Sequence, residues 1–223
     1  MMTIEEAVKA RHAVRSYTDR PIEQEKIDEL QKLVDDFNGR SGLHIQLITN
    51  DPKAFDSRLA RYGKFSGVRN YFAMIGQKAP LLDETIGYFG EQLVIKAQQL
   101  GLNTCWVGMT FKKNPDVLKM SGDDKLRCVI AVGYGTTQGV SHKVKNFEQV
   151  AKNYSTMPKW FKLGVAYALL APTAVNQQKF KFRLLPDNRV QVKAGFGFFS
   201  KVDLGIVKCH FEIGAGTENF SWA

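Results

Sequence analysis

Apolar residues recur along this chain with two periods, and the switches between them mark its elements. Thr3 followed by Glu6 reads as a capping box, with Ile4, Ala7 and Val8 as the apolar stripe of a short first helix. A polar stretch, Arg11 to Tyr17, ends it, and Pro21 restarts the chain. Ile27, Leu30, Val34 and Phe37 then keep helical spacing until Asn38-Gly39, a predicted stop. Leu43 to Thr49 alternates as a strand. Residues 51–68 carry a weak signal, an irregular stretch with room for one helical turn. Asn70 to Gly76 is a second strand, and Ile86, Phe89, Leu93, Ala97 and Leu100 line one face of a long helix closed by Gly101. Thr104 to Val107 is strand-like. Asn114-Pro115 predicts the start of a short helix reaching Met120, and Leu126 to Val132 carries the strongest strand signal of the chain.

The region after Val150 reads as a second, shorter half. A helix is predicted from Pro158 to Leu170, broken at Ala171-Pro172. Phe180 to Leu185 and Val190 to Ala194 flank the turn Pro186-Asp187-Asn188-Arg189, and Val202 to Ile213 is helical again. Strand-then-helix therefore occurs twice, Tyr71–Ile75 before Ile86–Leu100 and Val190–Ala194 before Val202–Ile213, as in a degenerate duplication. The expected organisation is one structural unit with halves at 1–150 and 151–223. Helices interleaved with hairpins favour an α+β fold, with a mixed or antiparallel sheet flanked by helices, over a doubly wound parallel one.

Composition narrows the class. At 223 residues, 44% hydrophobic and 24% charged, the chain is neither disordered nor a coiled coil. No apolar run approaches the roughly 20 residues that span a bilayer. Glu5 and Glu6 stand where a secretion signal would be apolar, so a cytoplasmic location is expected. Cys105, Cys128 and Cys209 form no CxxC and read as buried thiols. Lys and Arg total 31 against 22 acids, a net charge of +9, which suits an anionic ligand, a nucleic acid or an acidic surface without choosing among them. His12, His44, His142 and His210 have no sequence neighbours that suggest a metal site.

Four constellations remain. Arg11, His12 and Arg15 cluster at the end of the first helix, where a spacing of four puts the arginines on one helical face. Lys143 and Lys145, two apart in an extended segment after His142, point to one side and suit a phosphate. Ala171 to Gln178 breaks a helix with proline and then offers amides, donors and acceptors for the edge of a heteroaromatic ring. Gly101 to Gly108 closes a helix, enters a strand and ends in a glycine that lets a ligand approach the backbone. Gly133 to Gly139 follows a strand but lacks the third glycine and the following helix of a dinucleotide fingerprint, so it reads as a plain turn.

These residues together resemble the FMN-dependent nitroreductase family. Arg11-His12-Ala13-Val14-Arg15-Ser16-Tyr17 is similar to its opening basic motif, and Gly101 to Gly108 to its Gly-Leu-Gly-x-x-Trp-Ile-Gly segment. His142 to Glu148 resembles its late basic stretch, and Ala171 to Phe180 its Ala-Pro-Ser-x-x-Asn-x-Gln-Pro-Trp segment. The last of these usually comes early. Its late position resembles a branch known from Thermotoga, in which one chain holds both halves of the dimer-like fold, implying a monomeric pseudo-dimer or a weak homodimer with one flavin site. By that resemblance Arg11, His12 and Ala13 would meet the ribityl and phosphate region, and Arg15 the pyrimidine edge. Lys143 and Lys145 would take the phosphate; Val107 and Gly108 would approach the ring near N5. Pro172, Thr173, Asn176 and Gln178 would come from the other half. Ala13 in place of Ser and Lys179-Phe180 in place of Pro-Trp depart from the pattern, and Lys145 replaces a frequent Arg, losing bidentate geometry.

The activity implied is hydride transfer from NADH or NADPH through FMN to a nitroaromatic, a quinone or a similar acceptor, with no catalytic protein acid or base, no metal, and neither a nucleic-acid nor a membrane partner. A flavin store or sensor without turnover is the rival reading. Nucleic-acid binding is the third, resting on the charge and on Lys179-Phe180-Lys181-Phe182-Arg183, where alternation of inward Phe and outward Lys accounts for the interleaving more simply.

Overall fold

Two helices cross so closely that no side chain fits between them, and the rest of the molecule is arranged around that crossing. The structure, a computed structural model, describes residues 2–223. Helix α4 (Leu82–Gln99) and helix α7 (Ser200–Ala215) meet through glycine backbone. A Cβ on Gly87 would lie 2.0 Å from the Val202 carbonyl oxygen, and one on Gly205 would lie 1.9 Å from that of Glu84. Helix α6 (Lys159–Ala168) packs on α7 through another bare backbone, Gly164 under the Phe211 ring.

The main sheet contains β1 (Gln46–Ile48), β2 (Asn70–Gln77), β3 (Asn103–Val107) and β4 (Asp124–Gly133). Its order is β1-β2-β4-β3 and every pair is antiparallel, with a bulge in β4 at Arg127, opposite the step from Met74 to Ile75. Sheet residues are buried on both faces. Phe72, Met74, Cys128 and Ile130 join the core with α4 and with α2 (Gln24–Ser41); Tyr71, Ala73, Ile75, Val129 and Ala131 join a second core beneath the loops after β1. The shorter half supplies a hairpin, β5 (Phe180–Leu185) with β6 (Arg189–Ala194), extended by β7 (Ser221–Trp222) parallel to β6. Phe180 and Phe182 point inward and Lys181 outward, as the alternation predicts. Phe182, Phe211, Phe220 and Trp222 pack as stacked and edge-on pairs that join this hairpin to α7.

Several boundaries depart from the pattern. Helix α1 (Ile4–Ala10) has the expected capping box, but Ile4 is exposed while Ala7 and Val8 are buried. Helix α2 runs through Asn38-Gly39 and stops at Gly42, where φ is 69°. Asn38 is retained inside the helix because its side chain bridges the backbone N–H and carbonyl of Ile45. Residues 51–68 contain a helical turn, Pro52–Ala54, and a short helix α3 (Arg58–Tyr62). The helix predicted from Asn114 forms only turns, because the buried Asn114 amide is drawn to Asp51. Helix α5 (Phe147–Val150) is capped by Asn146 and has no apolar periodicity to announce it. The tail does not fray: Trp222 donates to Glu212 from β7. No described helix is long and apolar enough to cross a membrane.

Replacing Gly205 by Ala forces the backbone of α4 and α7 apart, since the added methyl meets main-chain atoms at 1.9 and 2.6 Å. Urea unfolding should register a loss of about 3 kcal/mol, whereas Gly39→Ala, which meets open space on α2, should lose nothing measurable.

Candidate functional site

One face of the main sheet ends at a cavity. It is bounded by Arg11, Ala13 and Arg15, by Trp106 and Val107 of β3 with Gly108 after them, and by Pro172 to Val175 with Phe199 and Asp203. Arg11 and Arg15 do not share a helix. Helix α1 ends at Ala10, and the next residues run beside β3, Val14 N–H donating to the Thr104 carbonyl and Ala13 bridging to Thr104. In an extended segment the side chains at 11, 13 and 15 face one way. The arginines therefore reach the cavity by strand alternation, while Val14 turns into the core.

Behind Arg11 lies a buried polar cluster that sequence spacing did not reveal. Glu91 of α4 and His210 of α7, both fully buried, meet at 2.8 Å between Oε1 and Nε2. Trp106 Nε1 donates to the other carboxylate oxygen at 2.8 Å. The Tyr167 carbonyl faces His210 Nδ1 at 3.2 Å. Arg11 Nε stands 3.7 Å from Glu91, too far for a hydrogen bond. It is the one buried side-chain nitrogen or oxygen without a hydrogen-bond partner among the described residues. The cavity wall thus carries a buried positive charge with an unused donor. A second histidine–carboxylate contact, His44 with Asp124 at the start of β4, at 2.8 Å, lies away from this cavity. Both pairings arise from contacts across more than 75 residues of chain, so the sequence around either histidine does not announce them. No group of side chains suited to a metal occurs among the described residues.

The opposite wall is strained. Val175, Asn176 and Gln178 have φ of 47°, 53° and 45°, and Phe199 has φ of 54°, a left-handed region that side-chain-bearing residues seldom adopt. Each costs on the order of 1–3 kcal/mol and persists only where neighbours hold it. Here Asp203 accepts from Ala174 N–H at 2.9 Å and from Gln177 Nε2 at 2.6 Å. Asn176 and Gln178 amides both donate to the Lys143 carbonyl. Lys145 Nζ donates to the carbonyls of Gln177 and Gln178 at 3.0 and 2.8 Å. Phe199 lays its ring over Gly108, where a Cβ would meet it at 2.5 Å.

Of the residues singled out from the sequence, Arg11, Ala13, Arg15, Val107, Gly108, Pro172 and Thr173 line the cavity. Asn176, Gln178, Lys143 and Lys145 form an adjoining web with one another. His12 and His142 lie beside Arg11 at its edge; burial first, and then the Arg11 charge, lower both imidazoles below their ordinary values. Burial raises the Cys105 thiol, so this cavity cysteine stays protonated. Glu91, His210, Trp106, Phe199 and Asp203 went unnoticed as site residues. Only Trp106 and Asp203 lay within quoted motifs, and helical periodicity marks Glu91 and His210 as nothing special.

The chain belongs to the family described as "Putative TM nitroreductase", whose model matches residues 3–215. Solved structures agree on the fold. A "putative nitroreductase" from Thermotoga maritima is 22% identical, with 96% of this chain and 83% of that one covered and a TM-score of 0.70. A "putative nitroreductase in complex with FMN" from Desulfovibrio desulfuricans is 17% identical over 66% of this chain and 94% of that one, at a TM-score of 0.53. A "putative NADH dehydrogenase/NAD(P)H nitroreductase" from Parabacteroides distasonis is 23% identical over 67% and 97%, at 0.52. A comparison with curated proteins found no match.

Two consequences of this geometry are measurable. Glu91→Ala leaves His210 and Trp106 without their acceptor and should cost about 3–5 kcal/mol in urea unfolding. Glu91→Gln, which keeps an acceptor for Trp106, should lose less. Burial pushes Asp203 up to about 6 from the ordinary 3.8, against the two hydrogen bonds that pull it down. A raised carboxyl favours the folded state below its unfolded value and loses that contribution as pH rises through the folded one, here about 3 kcal/mol between roughly pH 4 and 7. Asp203→Asn removes the titration, so unfolding curves should show the variant gaining that amount on the wild type across the same interval.

Proposed function

We propose that the cavity holds FMN and that the chain is an NAD(P)H-driven oxidoreductase reducing nitroaromatic, quinone or similar acceptors. Family membership supports a flavin oxidoreductase, and the observation that carries the reading is the buried Arg11 guanidinium, with Nη2 donating to the Leu170 carbonyl and Nε unpartnered, in the wall of a cavity lined by β3. The donor set fits such a group. Arg11 and Arg15 present cations to a ring that gains negative charge on reduction, Thr173 offers a hydroxyl, and the bare backbone at Gly108 permits close approach once the Phe199 ring moves aside. Lys143, with the neutral donors His12 and His142 beside it, continues this edge as a rim suited to a phosphate.

FMN held by Arg11, Arg15, Thr173 and the Lys143 rim would supply hydride chemistry between NADH or NADPH and the acceptor. The chain's part is to bind, orient and exclude water. Arg11 supplies a positive charge beside the buried Glu91–His210 contact, in a low-dielectric wall that strengthens its interaction with negative charge. The strained 173–178 segment, fastened to Asp203 and to the 143–145 segment, sets the second wall. No protein acid or base is required. A pseudo-dimeric origin in a single chain, with halves at 1–150 and 151–223, is supported by the recurrence of strand and helix, β2 before α4 and β6 before α7, and by the packing of those two helices on each other.

The test is the visible spectrum after FMN addition and desalting. A retained oxidised-flavin spectrum that bleaches with NADH or NADPH without oxygen is expected; a colourless protein sinks the proposal, and a retained spectrum that does not bleach leaves a flavin store. Lys143 and Lys145 separate into two roles. Lys143→Ala, exposed and without a side-chain partner in the loop web, should weaken FMN at least about tenfold with unchanged unfolding, the loss expected of one charge-assisted phosphate contact. Lys145→Ala should weaken FMN and also loosen the 173–178 segment, read as faster amide exchange there.

A further inference from the structure

Four of the five most exposed apolar side chains gather on neighbouring loops at the cavity mouth, Tyr62 being the fifth, on α3. Phe196 is 99% exposed, Val175 94%, Val140 84% and Phe198 79%. They sit on three loops, 139–145, 173–179 and 195–201, that hydrogen bonds tie into one surface. Asn176 and Gln178 donate to the Lys143 carbonyl, Gln177 Nε2 donates to the Phe198 carbonyl at 2.8 Å, and Lys179 Nζ donates to the Phe196 carbonyl at 2.9 Å. The loops carry Lys143, Lys145, Lys179 and Lys201 and not one Asp or Glu. Elsewhere the surface mixes both signs, as in the ion pairs Arg40–Asp36 and Arg127–Asp83.

A phenyl ring held wholly in water has no folding purpose, and two of them flanked by Gly195 and Gly197 project outward instead of lining a groove. Projecting aromatics among lysines, with no acid in the loops and the neighbouring Asp203 buried beneath them, match a surface that is apolar beneath and negative on top. We propose that these three loops dock the protein on an anionic lipid bilayer, with Phe196 and Phe198 entering the headgroup layer and the lysines meeting lipid phosphates. The contact is peripheral, so a reading for spanning segments gives no sign of it. Val175 and Phe199 also line the cavity, so docking turns its mouth toward the membrane. If the FMN reading holds, on which this last step rests, the acceptor class is an apolar molecule dissolved in lipid, such as a quinone, and not a water-borne one.

Flotation of the protein as purified with vesicles tests the docking without any flavin. Vesicles of phosphatidylcholine carrying about a third phosphatidylglycerol should bind the protein, pure phosphatidylcholine should bind it at least about tenfold less, and added salt should release it. The double variant Phe196→Ser/Phe198→Ser touches only exposed side chains and should unfold as the wild type does while binding anionic vesicles at least about tenfold more weakly. Phe198→Trp should shift its emission to the blue on vesicle addition. Absence of binding to the anionic vesicles at low salt overturns the proposal, as does binding that the double serine variant leaves unchanged. So does a dimer in gel filtration that the same variant dissociates, since the rings would then serve a second copy of this chain. A colourless protein that still binds vesicles removes only the inference about the acceptor.

Discussion

Backbone contact between α4 and α7 is the constraint from which the rest of this structure follows. With Gly87 and Gly205 at the crossing, the two axes come within reach of short side chains, and one turn further along Glu91 and His210 meet directly. A larger residue at either glycine would part them, strand a buried carboxylate and remove the support behind Arg11. The same crossing joins distant parts of the chain, because α4 follows β2 of the main sheet and α7 follows β6 of the small one. Packing and charge placement are therefore one problem with one solution.

That solution concentrates cost at the cavity. Its first wall keeps a guanidinium out of water with one donor unused, and its second keeps four side-chain-bearing residues in left-handed backbone. Asp203 is kept from water as well, although two donors hold it. A fold selected only for stability would relax such features. Where they cluster around one opening, they are the arrangement expected of a binding site whose ligand supplies the missing partner.

Charge distribution adds a second level. A net charge of +9 is a property of composition, but acids and bases are not shared evenly. Several acidic residues sit in ion pairs on helices and strands, such as Glu29–Lys96 and Glu84–Lys208, while the loops at the cavity mouth carry lysines and no acid of their own. The same loops hold the most exposed phenyl rings, so electrostatic and apolar character coincide where the cavity opens.

Read alone, the sequence determined the α+β class, nearly every strand, the long helices and the family, because each rests on short-range patterning: alternation at Phe180 to Phe182, helical spacing from Ile86 to Leu100, motifs a few residues long. Seven of the residues it singled out line the cavity, although for Arg11 and Arg15 by strand alternation and not by the helical face that their spacing suggested. Asn114 and Asn38 misled because their amides answer to partners outside their own segment, Asp51 for one and Ile45 beyond the helix end for the other. Only the tertiary structure decided that Glu91 would face His210 across 119 positions, that Lys145 would fasten the 173–178 segment, and that the tail would become a strand. A hydrogen bond between distant residues leaves no period in either segment. It exists only after the backbone has closed, and here that closure depends on two glycines whose importance is visible only from the atoms they leave room for.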